Sequence, residues 1–238
     1  MLRAGVDITG VGSWLGGNRG IETEGEGVVS RLGSLLALCN YRNADIRELL
    51  LYVDVPCGAY SRLGELGADI RHIRHRADEF ECSPDQVVCE LPSHLAEFEM
   101  LQSMARLLRR QGAKIALAHS RPDDPLSLWI ERLRPDYVRM SDEWFSRITS
   151  HHASRQLLAS LVHAIKDSGA QVLFEGLDSA HLLARAVEAG ADFLQGNALQ
   201  PGGLVGTLID PGDRPLPLPT ERSNVVPLSS VLSTHQAR

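Results

Sequence analysis

Residues Gln171-Val-Leu-Phe-Glu-Gly-Leu-Asp-Ser-Ala-His-Leu-Leu-Ala-Arg-Ala-Val-Glu-Ala-Gly-Ala-Asp-Phe-Leu194 change their apolar period twice. The opening run, Gln171 to Glu175, is too short for a helix and rich in apolar residues, which predicts a buried strand. Asp178 and Ser179 follow as residue types that accept hydrogen bonds from the free amides of a helix start. Leu182, Leu183, Ala186 and Val187 then recur at helical spacing, and Gly190 supplies the left-handed stop. A second short run, Ala191 to Leu194, completes a strand–helix–strand unit. Such a unit implies a right-handed crossover between parallel strands.

The same unit repeats upstream. Candidate strands are Leu50–Val55, Gln86–Leu91, Ala113–Ala118 and Asp136–Met140. Leu95, Phe98, Leu101, Ala105 and Leu108 mark a helix before Gly112, and Leu157, Leu158, Leu161, Val162 and Ile165 mark another before Gly169. Six strands alternating with helices satisfy either a doubly wound sheet or a (β/α)8 barrel. A complete barrel needs two more strands from residues 1–48, where the helix pattern Val28–Cys39 has a single strand candidate, Gly5–Ile8, beside it.

The ends differ in composition. The first 28 residues hold 8 of the 21 glycines, and the stretch from Pro201 onward holds 6 of the 12 prolines. Gly10 to Gly17 superficially resembles a dinucleotide loop, but no helix pattern follows it, so it reads as a flexible leader. Three parts are expected: a Gly-rich segment 1–24, a barrel domain 25–205, and a Pro-rich tail 206–238.

Composition excludes several roles. The chain has 238 residues, with 24 Lys+Arg against 30 Asp+Glu, a net charge of −6. That balance argues against a nucleic-acid partner, since phosphate contacts need clustered cations. The basic stretch Arg71–Arg76 reads as a solvated helix face. No apolar run approaches the roughly 18 residues of a membrane span, and the N-terminus lacks a signal-peptide core. Cys39, Cys57, Cys82 and Cys89 have no metal or disulfide spacing, which fits reduced thiols and a cytoplasmic location. Oligomeric state leaves no trace in the pattern.

Chemistry in a parallel α/β protein sits at the C-terminal strand ends. Those ends read Asp54, then Glu90 to Ser93, Ala118-His119, Arg139 and Ser141, Glu175 with Asp178, and Gln195. In that order the chain resembles a strongly diverged EAL domain, the cyclic-di-GMP phosphodiesterase family. Phe174-Glu-Gly-Leu-Asp-Ser179 is similar to the family's Ala-Glu-Gly-Val-Glu-Thr. Gly190 to Gly196 resembles Gly-x-Asp-x-x-Gln-Gly, and Asp136 to Ser141 resembles Asp-x-hydrophobic-Lys-hydrophobic-Asp. Val53-Asp-Val55 fits Val-Asn-Leu, and Glu24 to Val29 with Leu32-Gly33 resembles the helix after the signature.

The resemblance implies a TIM-type barrel with an abbreviated or rebuilt N-terminal part, and departures that remove two-metal chemistry. Carboxylates of that family hold two hard cations. The Glu-Ala-Leu signature is absent, and Asp54 replaces the asparagine. Pro92-Ser93 stands at the Thr-Glu position, so that carboxylate counts as lost. Ala118-His119 replaces paired aspartates, Arg139 the lysine and Ser141 the following aspartate, while Glu175 and Gln195 keep their type. Asp178 reads as part of a helix cap and His119 as a hydrogen-bonded pocket residue. These nine positions are expected to be vestigial, with no catalytic residue, metal or cofactor, and Arg139 is expected to pair with Glu175. The resulting expectation is a non-catalytic regulator that binds a protein partner, with a cyclic-di-GMP receptor as the alternative, less favoured, and residual hydrolysis third.

Overall fold

The computed structural model describes residues 38–39, 41–42, 50–55, 63–79, 81–93, 97–119, 125–141, 144–145 and 152–199. Within them the elements run β1 (Leu51–Asp54), α1 (Leu63–Glu79), β2 (Val87–Pro92), α2 (Phe98–Arg110), β3 (Lys114–His119) and α3 (Leu126–Leu133). They continue β4 (Tyr137–Met140), α4 (His152–Asp167), β5 (Gln171–Phe174), α5 (Ala180–Glu188) and β6 (Phe193–Leu194). The strands form one parallel sheet in the order β1-β2-β3-β4-β5-β6. Consecutive parallel neighbours joined by helices make an α/β half-barrel, the expected fold class. The expected leader, the helix Val28–Cys39 apart from residues 38 and 39, and the tail 206–238 lie outside the described residues.

Alternation along the strands sorts side chains to two faces. Leu51, Val53, Cys89, Leu91, Ile115, Leu117, Val138, Met140, Val172 and Phe174 belong to the larger buried cluster shared with the helices. Tyr52, Val88, Ala116, Tyr137 and Leu173 form a second buried cluster on the other face, with Phe193 packed against it. Tyr137 bridges this inner layer, its ring 5.9 Å from Tyr52 and 5.8 Å from Phe193.

Helices α2, α4 and α5 close the outer layer with apolar stripes. Leu101, Met104, Ala105 and Leu108 are the buried positions of α2, and Leu183 and Ala186 those of α5. In α4 the stripe is Leu158, Val162 and Ile165, whereas Leu157, expected on it, is 66% exposed. Gly112 ends α2 with φ of 84°, and a Cβ there would meet the Pro84 Cβ at 2.8 Å, so both backbone and space require glycine. Arg71 and His72 are exposed on α1, the solvated face expected of that stretch. Among the described residues no helix is long and apolar enough to cross a membrane.

Two aspartates fix the end of the sheet opposite the site. The Asp136 carboxylate accepts from the Ile115 amide at 2.8 Å, tying β4 to β3. Asp192 does the same between β6 and β5, accepting from the Val172 amide at 2.9 Å and pairing with Lys166 at 2.7 Å.

Candidate functional site

Two residues beyond each member of the inner apolar layer stands a position of the site. Tyr52 leads to Asp54, Val88 to Glu90, Ala116 to Ala118, Tyr137 to Arg139, Leu173 to Glu175 and Phe193 to Gln195. The two-residue period of the strands thus sends this set to the same face, at their C-terminal ends. Register places Asp54 beside Glu90 and Ala118 beside Arg139. Small Ala118 leaves room where Arg139 extends.

Arg139 is the hub. One guanidinium nitrogen donates to Glu175 and the other to Glu90, so a single cation joins the ends of β2, β4 and β5. The Glu90 side chain is 8% exposed, and those of Arg139 and Glu175 are 22% and 23% exposed. Burial pushes the Glu90 carboxyl up to about 8. The Arg139 charge opposes that rise, and the charges of Asp54 and Glu175 add to it. One guanidinium faces more negative charge than it neutralises, and the most buried carboxyl responds by holding its proton.

Backbone bonds hold the strand-end loops. The Glu175 amide donates to Met140 O at 3.2 Å, and the Gln195 amide to Phe174 O at 2.9 Å. Leu177 donates to Gln195 O at 3.0 Å, and Ala198 donates to Leu177 O at 3.0 Å. Gly196 passes so near Leu177 that a Cβ on it would collide with the Leu177 backbone. Ser179 alone caps α5, accepting from the Leu182 amide at 3.3 Å. Asp178, expected in that cap, instead accepts from the Asn197 amide at 3.1 Å and its side-chain nitrogen at 2.9 Å. It therefore clamps the β5 loop to the β6 loop.

The remaining expected positions are dispersed. Ser93 is buried just past β2, its amide donating to Ala118 O at 3.2 Å. Ser141 follows β4 and accepts from the Trp144 amide at 3.4 Å through its hydroxyl. His119 is the last residue of β3. At the end of β2 it is Glu90, three residues before Ser93, that delivers a carboxylate to the cluster. The signal was available in the pattern, since Glu90 is a charged residue inside the apolar run Val87–Leu91, in step with Val88.

Divalent cations fit this arrangement poorly. Among the described residues no three His, Cys, Asp or Glu side chains are placed to hold a metal ion. The Glu90 and Glu175 carboxylates converge on the guanidinium, which takes one oxygen of each, two of the acceptors that an ion would need.

Residues 62–201, more than half of the chain, match the family model of the EAL domain. Among solved structures, the chain is similar to Klebsiella pneumoniae BlrP1 in complex with manganese and cyclic-di-GMP. Identity is 20% and TM-score 0.65, over 74% of this chain and 45% of that one. The EAL domain of Mycobacterium smegmatis DcpA matches at 14% identity and TM-score 0.62, over 72% of this chain and 77% of that one. Bacillus subtilis YkuI, in complex with cyclic-di-GMP and calcium, matches at 21% and 0.65, over 79% and 46%. The chain thus spans less than half the length of BlrP1 and YkuI. No curated protein sequence matches. The family match overturns the expectation that the chain is not an enzyme, because the EAL family is one of cyclic-di-GMP phosphodiesterases. Glu90 removes part of that expectation's premise, the shortage of strand-end carboxylates.

Proposed function

The chain belongs to the EAL domain family, and on that premise we propose that it binds cyclic-di-GMP across the C-terminal ends of β1–β6. The observation that carries this reading is the cluster of Glu90, Arg139 and Glu175, set one layer above an apolar inner face. A cyclic dinucleotide offers two phosphodiesters and two guanines. A guanidinium suits a phosphate oxygen pair or the O6/N7 edge of guanine. Carboxylates accept from the donor groups of a guanine, and Asp54 at the exposed end of β1 is placed to contribute. The cyclic-di-GMP complexes of BlrP1 and YkuI support the choice of ligand.

A protein partner, the other expectation, has less behind it. Among the described residues the large apolar side chains left exposed are Leu128 and Leu157, on different helices. Scattered exposed leucines are ordinary on a soluble surface.

Titration calorimetry of the full chain with cyclic-di-GMP, with and without Mn²⁺, tests the proposal. Stoichiometric heat is expected in at least one condition, weakened about tenfold or more by Arg139→Ala, as for loss of a charged hydrogen-bonding group. Absence of heat in both conditions rejects it. Chromatography of the same samples reads linear dinucleotide, so cleavage is measured apart from binding.

A further inference from the structure

We infer that Glu90 and Glu175 form a cation site whose resident cation is Arg139, so that a divalent metal enters only by displacing the guanidinium. The argument begins with geometry. Glu90 comes from β2, Arg139 from β4 and Glu175 from β5, and the arginine donates separately to each carboxylate. Its planar fork spans two acceptors that no main-chain bond joins.

The carboxylates are committed to it. Glu90 is buried, with an 8% exposed side chain, and Glu175 is mostly covered. Neither is placed to swing into solvent while keeping the arginine. A small dication demands several oxygens at short range in near-regular geometry. The bonded oxygens, Glu90 Oε1 and Glu175 Oε2, cannot serve both cations. The other oxygen of each carboxylate falls short of the ligand set a dication demands, and two positive groups in one partly buried space repel strongly. Occupancy by metal and formation of the Arg139 pairs are therefore mutually exclusive. The guanidinium is tethered to β4 and always present, whereas a metal must arrive from solution, so at low metal concentration arginine holds the site.

This concerns metal uptake and does not require nucleotide. The probe is Mn²⁺ alone, counted by the electron paramagnetic resonance of the free ion, added to the full chain and to Arg139→Gln and Arg139→Lys. Wild-type protein should take up Mn²⁺ weakly. Arg139→Gln should bind at least about tenfold more tightly, the scale on which neighbouring groups shift metal affinity. Arg139→Lys should fall between, because an ammonium is a point charge on a flexible stem and grips two carboxylates less firmly. Adding Glu175→Gln to Arg139→Gln should abolish the gain. Circular dichroism identifies which variants are folded. Wild-type binding as tight as that of a folded Arg139→Gln or Arg139→Lys variant overturns the inference. Tight stoichiometric uptake by the wild type overturns it even if neither variant folds.

Discussion

Asp136 and Asp192 do the same work two strands apart: each carboxylate accepts a backbone amide of the neighbouring strand, Ile115 for the first and Val172 for the second. Both stand just ahead of a strand, β4 and β6, at the end of the sheet away from Arg139. The expected consequence is that both act on stability and leave the site alone.

Asp136→Ala should cost about 1–3 kcal/mol, the penalty for leaving a buried amide without its acceptor. Asp136→Asn keeps an acceptor oxygen and should recover most of the loss. Asp192→Ala should cost at least as much, since it also removes the partner of Lys166. Urea denaturation measures each difference. Cyclic-di-GMP affinity of the folded variants should stay within a small factor of wild type.

Glu90 gives stability a definite dependence on pH. Its folded carboxyl is raised from 4.5 to about 8, chiefly by burial. A raised acid keeps a proton in the folded state that the unfolded chain has released. Its contribution is therefore complete below the unfolded value and is lost as pH climbs through the folded one. Between pH 4.5 and about 8 the wild type should lose stability relative to Glu90→Gln, by at most about 1.4 kcal/mol per pH unit. Parallel denaturation curves of the two proteins at pH 5, 6, 7 and 8 (about one unit apart, to sample the linkage) would show the divergence. Parallel stabilities across that range would place the proton elsewhere.

Gly196 tests the seam between the β5 and β6 loops. An added Cβ runs into the Leu177 backbone, whose amide and carbonyl bond Gln195 and Ala198 at 3.0 Å each. Relief requires the loop to move and those bonds to stretch. Gly196→Ala should destabilise by about 1–3 kcal/mol, the usual cost of overpacking. Because the two loops carry Glu175 and Gln195, nucleotide affinity should fall as well. Unchanged melting and affinity would mean that the two loops are not packed as described.

What was legible in the chain follows from how local each signal is. Five of the six strand candidates lie within a residue of the observed bounds, because short apolar runs between caps and glycines report local packing. Ala191–Leu194 shrinks to Phe193–Leu194, since Asp192 is used as a cross-strand acceptor. Helix α1 was visible only as its charged stretch, the apolar residues described as buried there, Ile70 and Ala77, being too sparse for a clear stripe. Site positions were found by order along the strands, and with them the Arg139–Glu175 pair, but the second partner, Glu90, lies 49 residues from Arg139. A motif read position by position chose Ser93. The strand's two-residue period, carried from Val88, chooses Glu90. The bonds of Asp136 and Asp178 likewise join segments 21 and 19 residues apart, beyond any local pattern.

The shared guanidinium changes what breaking the Arg139–Glu175 pair should cost. A pair with no other partner strands one charge when the other is removed, at about 3–5 kcal/mol for a buried case. Here Glu175→Gln leaves Arg139 bonded to Glu90, and it also removes one of the charges that push the Glu90 proton on. Glu90 can then ionise more readily and take over as counter-ion. Arg139→Met has no such relief, for it leaves the partly buried Glu175 carboxylate without its cation, while Glu90 holds its proton more firmly still. Glu175→Gln should therefore be the milder change, below about 2 kcal/mol, and Arg139→Met should reach or exceed about 3 kcal/mol. Adding Glu175→Gln to Arg139→Met should restore part of the loss by removing the stranded charge, a coupling that a double-mutant cycle reads directly. Equal costs for Glu175→Gln and Arg139→Met, with additive Arg139 and Glu175 substitutions, would show that the three side chains do not act as one unit.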